Sequence, residues 1–415
     1  MLEAFFSSTL RLQELRDAPS SHLLEAFAEE LRQVGYSEIT ARLHIRAAEL
    51  FIYWVSREGR SIDTWDEHLV EDFVHHLSRC RSLQYGHAYR LQLRQGARLF
   101  FKHLQCVGIV SSRLIEQTVQ EPPLLAAFCE WMRQRRGTSD PTLYNYSLPL
   151  RDLLKSLGAD PGKFDAQSLR KFILEKGRQC GWAAAKNCTT ALRMFLRFLI
   201  AEGKCPAALE AAIPALAHWR LSSLPRYLQP DEVERIIASC NLTSPVGKRD
   251  RAILLLLARL GLRAGDIVQL RSSDIDWPGA WIHVSGKGRR QTRLPLTQEI
   301  GEALVTYLED GRPQSDTDRV FIRIRAPFRG LASHSAVSVI VTRAMHRAGV
   351  TCPSRGAAHL LRHSAATSML REGASLHEIA AILRHRSIET TQIYAKVDVG
   401  LLRQIVQPWP EVKSC

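Results

Sequence analysis

Residues 359–394 bring histidines, an arginine and a tyrosine into one short span, HLLRHSAATSMLREGASLHEIAAILRHRSIETTQIY. On a helix, His359 and Arg362 share a face, and His363 lies beside them. His385 follows further along, and Tyr394 closes the span. Cations and imidazoles around one phenol are the groups needed to attack a phosphodiester with a tyrosine oxygen and without a metal ion.

Each of these residues also has a plainer interpretation. The spacing of His359 and His363 suits a metal pair, but the glutamate of zinc peptidases is absent and Arg362 would lie against the ion. We therefore predict no metal and no cofactor. Taken alone, the pentapeptide fits an amphipathic helix with a solvated arginine. A lone tyrosine such as Tyr394 is usually a half-buried side chain at a helix end.

More cations lie upstream. Arg263 stands in GLRAGDI, a corner between two predicted helices, where Asp266 is placed to hold its guanidinium. A second basic group occupies a predicted hairpin tip and the strand after it. Its four cations, without an anion among them, favour phosphate contact; they are Lys287, Arg289, Arg290 and Arg293.

Taken together and in this order, the motifs resemble those of the tyrosine recombinases, the phage-integrase and Xer-like family. The motifs are GLRAGDI, SGKGRRQTRLPL, HLLRH and LRHRSIETTQIY. The resemblance covers residues 229–407 as a catalytic domain. It extends less strongly to residues 121–218, which are similar to the family's helical core-binding domain.

The resemblance implies catalytic roles for three cations. Arg263 and Arg362 correspond to the arginines that clamp the non-bridging oxygens of the scissile phosphate, a task that suits the always-charged, two-pronged guanidinium. Lys287 corresponds to the hairpin lysine, the general acid for the departing 5′-hydroxyl. Preorganised cations of this kind stabilise the extra negative charge of the transition state.

The resemblance also implies roles for the imidazoles and the phenol. His359 corresponds to the histidine that assists deprotonation of the phenol and contacts the phosphate. His385 corresponds to the histidine that donates to the phosphate in the transition state. Tyr394 corresponds to the nucleophile that forms a 3′-phosphotyrosine, a bond that lets strands rejoin without ATP.

The sequence departs from the family pattern at three places. Arg384 stands where the family usually has the glycine of LGH, which puts the local backbone at His385 in question. Asp266 is shorter than the usual glutamate. After the tyrosine, where a polar residue and a histidine are common, Ala395 and Lys396 follow.

The N-terminal half repeats itself. Residues 23–27 (LLEAF) recur as 124–128 (LLAAF) at an offset of 101, and residues 98–104 recur as 193–199 at an offset of 95. We predict two homologous helical domains in tandem; the alternative is chance similarity between amphipathic helices. The predicted divisions are a lead (1–20), helical domains (21–118 and 121–218), a basic linker with Arg226 along the DNA backbone (219–228), a catalytic domain (229–407) and a tail (408–415).

Helical periodicity dominates the catalytic part as well. Alternating residues at 281–284 and 293–296 flank a basic, glycine-rich turn and predict a β-hairpin. The fold class predicted is mainly α with a small β-hairpin or sheet in the catalytic domain (α+β). Helices are predicted from residue 230 and at about 248–260, 297–309, 335–348, 357–371, 375–383, 388–394 and 399–406.

Composition restricts the partners. Among 415 residues, 56 Lys+Arg exceed 42 Asp+Glu, leaving a net charge of +14. This excess favours double-stranded DNA as partner, although a basic protein without such a partner is the alternative. Nine scattered cysteines without a C-x-x-C pair are typical of reduced thiols. No signal-peptide pattern or bilayer-length apolar run is seen, so we expect a cytoplasmic protein without a membrane partner.

The function predicted is site-specific DNA recombination that integrates or excises a mobile element. We expect four protomers on DNA, as a homo- or hetero-tetramer with other recombinases. The alternatives are a type IB topoisomerase-like enzyme, a non-catalytic DNA-binding accessory protein and a metal-dependent hydrolase. For the extra helical domain we expect one of two uses, binding of further DNA or contact with a partner recombinase, and its acidic residues favour protein contact.

Overall fold

The computed structural model describes residues 1–79, 87–110, 122–216, 224–285, 291–353, 356–385 and 387–396. Two compact units form, one from residues 1–110 and 221–415 and one from residues 111–220. Within the described ranges, no helix is long and apolar enough to cross a membrane. Several predicted features lie outside these ranges, namely Lys287, Arg289, Arg290, the helix at 399–406 and the tail.

The first helical region, residues 1–110, packs around an apolar core of its own. Its helices are α1 (Thr9–Asp17), α2 (Ser21–Gln33), α3 (Glu38–Arg57), α4 (Glu67–Arg79) and α5 (His87–Cys106). Leu2, Phe5 and Leu15 are buried in this core. Residues 1–20 are therefore part of the first helical region rather than a separate lead, because their apolar side chains are covered there.

The second helical region, residues 122–216, has a separate core. Its helices are α6 (Pro123–Arg136), α7 (Asp140–Leu157), α8 (Ala166–Cys180), α9 (Trp182–Ala201) and α10 (Ala208–Ala211). Local signals set its helix starts. Pro123 begins α6, where a missing N–H costs nothing, and Asp165 accepts hydrogen bonds from the first turn of α8.

The C-terminal region has a third apolar core. Its helices are α11 (Pro230–Ala238), α12 (Pro245–Arg259), α13 (Ala264–Gln269), α14 (Gln298–Asp310), α15 (His334–Arg347), α16 (Ala357–Arg371), α17 (Leu376–Ile382) and α18 (Gln392–Ala395). The long helix α12 lies in the centre of this core, and residues 252–258 of that helix are all buried. Helix α12 begins earlier than predicted because Ser244 caps it and Pro245 suits its first position.

A small antiparallel sheet completes this region, and the mainly helical α+β fold is as predicted. Strands β2 (Trp281–Ser285) and β3 (Gln291–Pro295) form the predicted hairpin. The sequence did not predict the short β1 (Ile275–Asp276), which pairs with β2. The helix predicted at 388–394 is instead a 3-10 turn, Ile388–Thr390, followed by α18, because Ser387 caps a separate turn there.

Candidate active site

Arg362 lies on the buried face of α16, and backbone carbonyls hold its guanidinium. Its two terminal nitrogens donate to the carbonyl oxygens of Gly261 and Leu383. Gly261 has a φ of +58°, and a Cβ atom there would lie 2.5 Å from the Leu383 side chain. Glycine is thus needed where this carbonyl meets the arginine. Burial, and then the charge of Arg263, lower the pKa of Arg362 to about 10, so the group stays charged at neutral pH.

Arg263 stands at the start of α13 and turns towards the same segment. Its guanidinium donates to the carbonyl oxygen of Arg384 at 3.1 Å. Burial, and then the charge of Arg384, lower its pKa. Among the described residues, the guanidinium groups of Arg263 and Arg362 therefore bond to carbonyl oxygens and to no carboxylate. Both groups are held in place without a direct ion pair to a carboxylate in the described part of the chain.

The prediction that Asp266 holds the guanidinium of Arg263 is corrected by these contacts. Asp266 accepts a hydrogen bond from the backbone N–H of Arg263 at 3.0 Å and caps α13. Its carboxylate pairs with the guanidinium of Arg384. The cause is local geometry: a carboxylate at this helix position points back at the open N–H of the first turn.

Tyr394 lies on α18 and is buried, with 1% of its surface exposed. Its hydroxyl oxygen is 2.8 Å from Nδ1 of His363 on α16. Ala366, Ile379 and Leu383 form the apolar cluster around the phenol. Burial raises the pKa of Tyr394, and the charge of Arg362 opposes that rise. The phenol is therefore protonated at neutral pH unless a base takes its proton.

His363 is a functional candidate whose sequence position suggested only a neighbour of Arg362 or half of a metal pair with His359. Burial, and then His359 and Arg362, lower its pKa to about 4, so the ring is neutral at physiological pH. With its proton on Nε2, a neutral ring accepts the phenolic hydrogen at Nδ1. The available signal was its position: it follows Arg362 directly and lies one turn after His359 on the same helix.

The other two histidines take different positions. His359 is exposed, and its ring centroid is 6.2 Å from that of His363. His385 is half-buried, and its Nδ1 lies 2.7 Å from the hydroxyl of the fully buried Thr391. Burial, and then Arg362, lower the pKa of His385 to about 4. The structure thus brings the three histidines, both arginines and Tyr394 close together.

Two of the predicted DNA contacts are described. Arg226 and Arg293 are both exposed, the first just before α11 and the second on β3 opposite His283. Within the described ranges, no group of three or more His, Cys, Asp or Glu side chains has the arrangement of a metal site.

The amino-acid sequence is similar to those of known proteins. A model of the phage integrase family matches residues 226–400. The putative integrase/recombinase y4rA of Sinorhizobium fredii is 35% identical to this chain over 99% of both sequences. The chain belongs to the tyrosine recombinase family. The tyrosine recombinase XerC of Oceanobacillus iheyensis is 32% identical, over 67% of this recombinase and 92% of its own chain.

Solved structures show the same fold. The XerH recombinase bound to a palindromic difH substrate aligns with 72% of this chain and 91% of its own, with a TM-score of 0.56 and 21% identity. A lambda integrase dimer bound to a COC′ core site aligns with 70% and 99%, with a TM-score of 0.54 and 20% identity. The chain thus shares the fold of these recombinases.

In this recombinase, Arg384 precedes His385 with a φ of +54°. That left-handed conformation suits glycine, which the family usually has here, and few L residues adopt it. The backbone at His385 therefore keeps the glycine-type turn although the residue is arginine. The turn directs the Arg384 carbonyl oxygen towards Arg263.

Proposed function

We propose that this recombinase cuts and rejoins double-stranded DNA through a covalent 3′-phosphotyrosine at Tyr394. The observation that carries the proposal is the 2.8 Å contact between the Tyr394 hydroxyl and Nδ1 of His363. It joins a nucleophile to a neutral base. The pocket also holds Arg263 and Arg362, which are fixed by backbone carbonyls.

In the cleavage step, the Tyr394 oxygen attacks the phosphorus, and its proton passes to His363 rather than to His359, for which the resemblance implied this role. A bond forms between the phenol oxygen and phosphorus, and the bond from phosphorus to the 5′-oxygen breaks. That oxygen leaves with a proton from a general acid, the role predicted for Lys287. Rejoining reverses each transfer, so no net oxidation or hydrolysis occurs.

The two arginines stabilise the charge that builds up in this step. Guanidinium groups bind non-bridging phosphate oxygens in pairs and remain charged even when buried. Because Arg263 and Arg362 are already held by carbonyl oxygens, little reorganisation is needed when the transition state forms. His385, positioned by Thr391, is available to donate a further hydrogen bond to the phosphate.

DNA binding and assembly belong to the same proposal. XerH and lambda integrase are each bound to DNA in their structures, and lambda integrase forms a tetramer on a Holliday junction. The net charge of +14 suits a phosphate partner. We propose four protomers on two DNA sites, and a mobile element as substrate because S. fredii relatives of matching length carry the name putative integrase/recombinase.

A pool of DNA duplexes with one nick and randomised flanking sequence tests cleavage. A nick beside the cleaved bond lets the short leaving strand diffuse away, which traps the protein on DNA. Denaturing gels should show a covalent adduct with the wild type and none with Tyr394→Phe. Sequencing of trapped duplexes would give a defined substrate. An adduct that persists in Tyr394→Phe would contradict the assignment of the nucleophile.

The base is tested on that defined substrate. We expect His363→Gln to slow adduct formation by about 10²-fold, the lower end for loss of a general base. His346→Gln, an exposed histidine on α15, is the matched control and should cleave as the wild type does. Equal rates in both variants would remove His363 from the mechanism. Relaxation of supercoiled plasmid without recombinant product would favour the topoisomerase-like alternative.

A further inference from the structure

Arg384 is the least expected residue in the pocket. It adopts a left-handed backbone with a φ of +54°, where the family usually has glycine. Only 6% of its side chain is exposed, so it reaches neither solvent nor a groove of DNA. Its Nε and Nη1 atoms have no hydrogen-bond partner among the described residues. The strained backbone and the unpaired buried nitrogens are both unfavourable, so another interaction of Arg384 has to offset them.

Arg384 and the start of α13 bind each other in both directions. The backbone carbonyl of Arg384 accepts a hydrogen bond from the guanidinium of Arg263. The guanidinium of Arg384 pairs with the carboxylate of Asp266. Asp266 in turn accepts from the backbone N–H of Arg263. These contacts form a closed clasp, which we define as Arg263, Asp266 and Arg384.

The clasp holds the carboxylate of Asp266 against the guanidinium of Arg384 rather than against that of Arg263. Asp266 is 11% exposed and lies close enough to Arg263 for its charge to act on that guanidinium. A free carboxylate at this point would compete with a phosphate for Arg263, because both anions suit the same two-pronged donor. Pairing with Arg384 holds the carboxylate and leaves Arg263 bonded to a neutral carbonyl oxygen.

We propose that Arg384 is a positioning residue that neutralises Asp266 and so keeps Arg263 free for the scissile phosphate. Its left-handed backbone supplies the carbonyl that orients Arg263, and its side chain withholds the competing carboxylate. The inference rests on the proposed cleavage chemistry and goes beyond it. An arginine at this position would thus form the site in a second way, where the family usually has a glycine.

The test uses the nicked duplex identified in the cleavage experiment. It measures the single-turnover rate of adduct formation and, separately, the affinity of non-covalent DNA binding. Arg384→Gly keeps the left-handed turn but frees Asp266. We expect cleavage about tenfold to a hundredfold slower, less than the loss of a whole donor, with binding changed little. The double variant Arg384→Gly with Asp266→Asn should recover most of the rate, since the competing charge is gone.

Three further variants complete the design. Arg384→Lys and Arg384→Gln share the backbone requirement and differ in charge, so they decide the question even if the glycine variant unfolds. The lysine variant should cleave faster than the glutamine variant. Arg271→Gly breaks an ion pair with Asp318 outside the pocket and should behave as the wild type.

The outcomes separate the two proposals. If the wild type forms no adduct, the cleavage proposal fails and this inference fails with it. If the wild type cleaves and Arg384→Gly cleaves as fast, only the role of Arg384 is overturned. A double variant slower than Arg384→Gly would also overturn it, since a merely structural residue gives added damage rather than rescue.

Discussion

The two helical regions have the same helix order but different surfaces. Helices α2 to α5 of the first region correspond in order to α6 to α9 of the second. Yet residues 1–110 hold 13 Lys+Arg against 14 Asp+Glu, whereas residues 111–220 hold 16 against 10. The shared helices therefore do not imply a shared partner, and charge separates a DNA-binding role from another role.

Both regions have exposed cations without an ion-pair partner among the described residues, and in the first region they are Arg46, Arg57, Arg79 and Lys102. Other arginines of the first region form ion pairs with nearby acids; they are Arg11, Arg16, Arg32, Arg42, Arg60, Arg94 and Arg98. In the second region, exposed cations without an ion-pair partner among the described residues are Arg135, Lys155, Lys171, Arg178 and Lys186. Unpaired cations are those that can replace counterions on DNA.

The two cores agree at one aromatic pair. Phe27 and Phe100 meet edge to face at 5.2 Å, and Phe128 and Phe195 do so at 5.4 Å. These residues correspond by the offsets of 101 and 95 found in the sequence. The repeat thus marks a contact between the first and last of the four corresponding helices, α2 with α5 and α6 with α9, which is what a duplicated core requires.

The largest effect should come from breaking this pair. Phe27→Ala and Phe128→Ala each remove a fully buried ring, and we expect each to lower the free energy of unfolding by about 3–5 kcal/mol. Urea denaturation of each variant measures this. Similar losses would show that the pair has one role in both regions; a loss confined to one would break the comparison.

A smaller effect is expected from the unpaired cations of the second region. Changing Arg135, Lys155, Lys171, Arg178 and Lys186 to Gln should weaken duplex binding by at least about tenfold at moderate salt. The slope of log affinity against log salt should fall by about 0.9 for each phosphate that the variant no longer neutralises. Binding measured across a salt series tests both.

The matched control changes paired arginines of the first region to Gln, namely Arg16, Arg32, Arg60, Arg94 and Arg98. Exposed ion pairs contribute little to stability, so this variant should fold. Its salt slope should equal that of the wild type. An equal fall in both variants would show that the first helical region also binds phosphates.

Acid should weaken the first region more than the second. His44 is buried, and burial lowers its pKa from the ordinary 6.5. Below pH 6.5, His44 is protonated in the unfolded chain but stays neutral in the folded protein. The free energy of unfolding therefore decreases as the pH falls. Residues 111–217 contain no histidine. His44→Leu should reduce the loss of stability between pH 7.5 and 5.5, measured by urea unfolding.

The sequence predicted what local pattern encodes. Periodicity and end signals located helices such as α14 and the hairpin of β2 and β3 within a residue or two, because caps and alternation are local. The contact between His363 and Tyr394 has no such signal. It depends on α16 and α18 packing together, and the pairing of Asp266 with Arg384 depends on a turn that an arginine rarely adopts.

The smallest expected effect tests where the two cores diverge. In the first region, His103 pairs with Glu30. By the same offsets, His103 corresponds to Phe198 and Glu30 to Trp131 in the second region, where the two ring centroids lie 5.9 Å apart. Nε2 of His103 is buried without a partner among the described residues. His103→Phe should therefore change the free energy of unfolding by no more than about 1 kcal/mol, and could raise it.

The reverse change in the second region is the control. Phe198→His places an imidazole beside Trp131 with no acid to bind it, and should cost about 1–3 kcal/mol. Urea denaturation of both variants compares the two directions. A large loss in His103→Phe would mean that the pair with Glu30 is essential to the first region. The aromatic pair would then not suffice as the common core of the two regions.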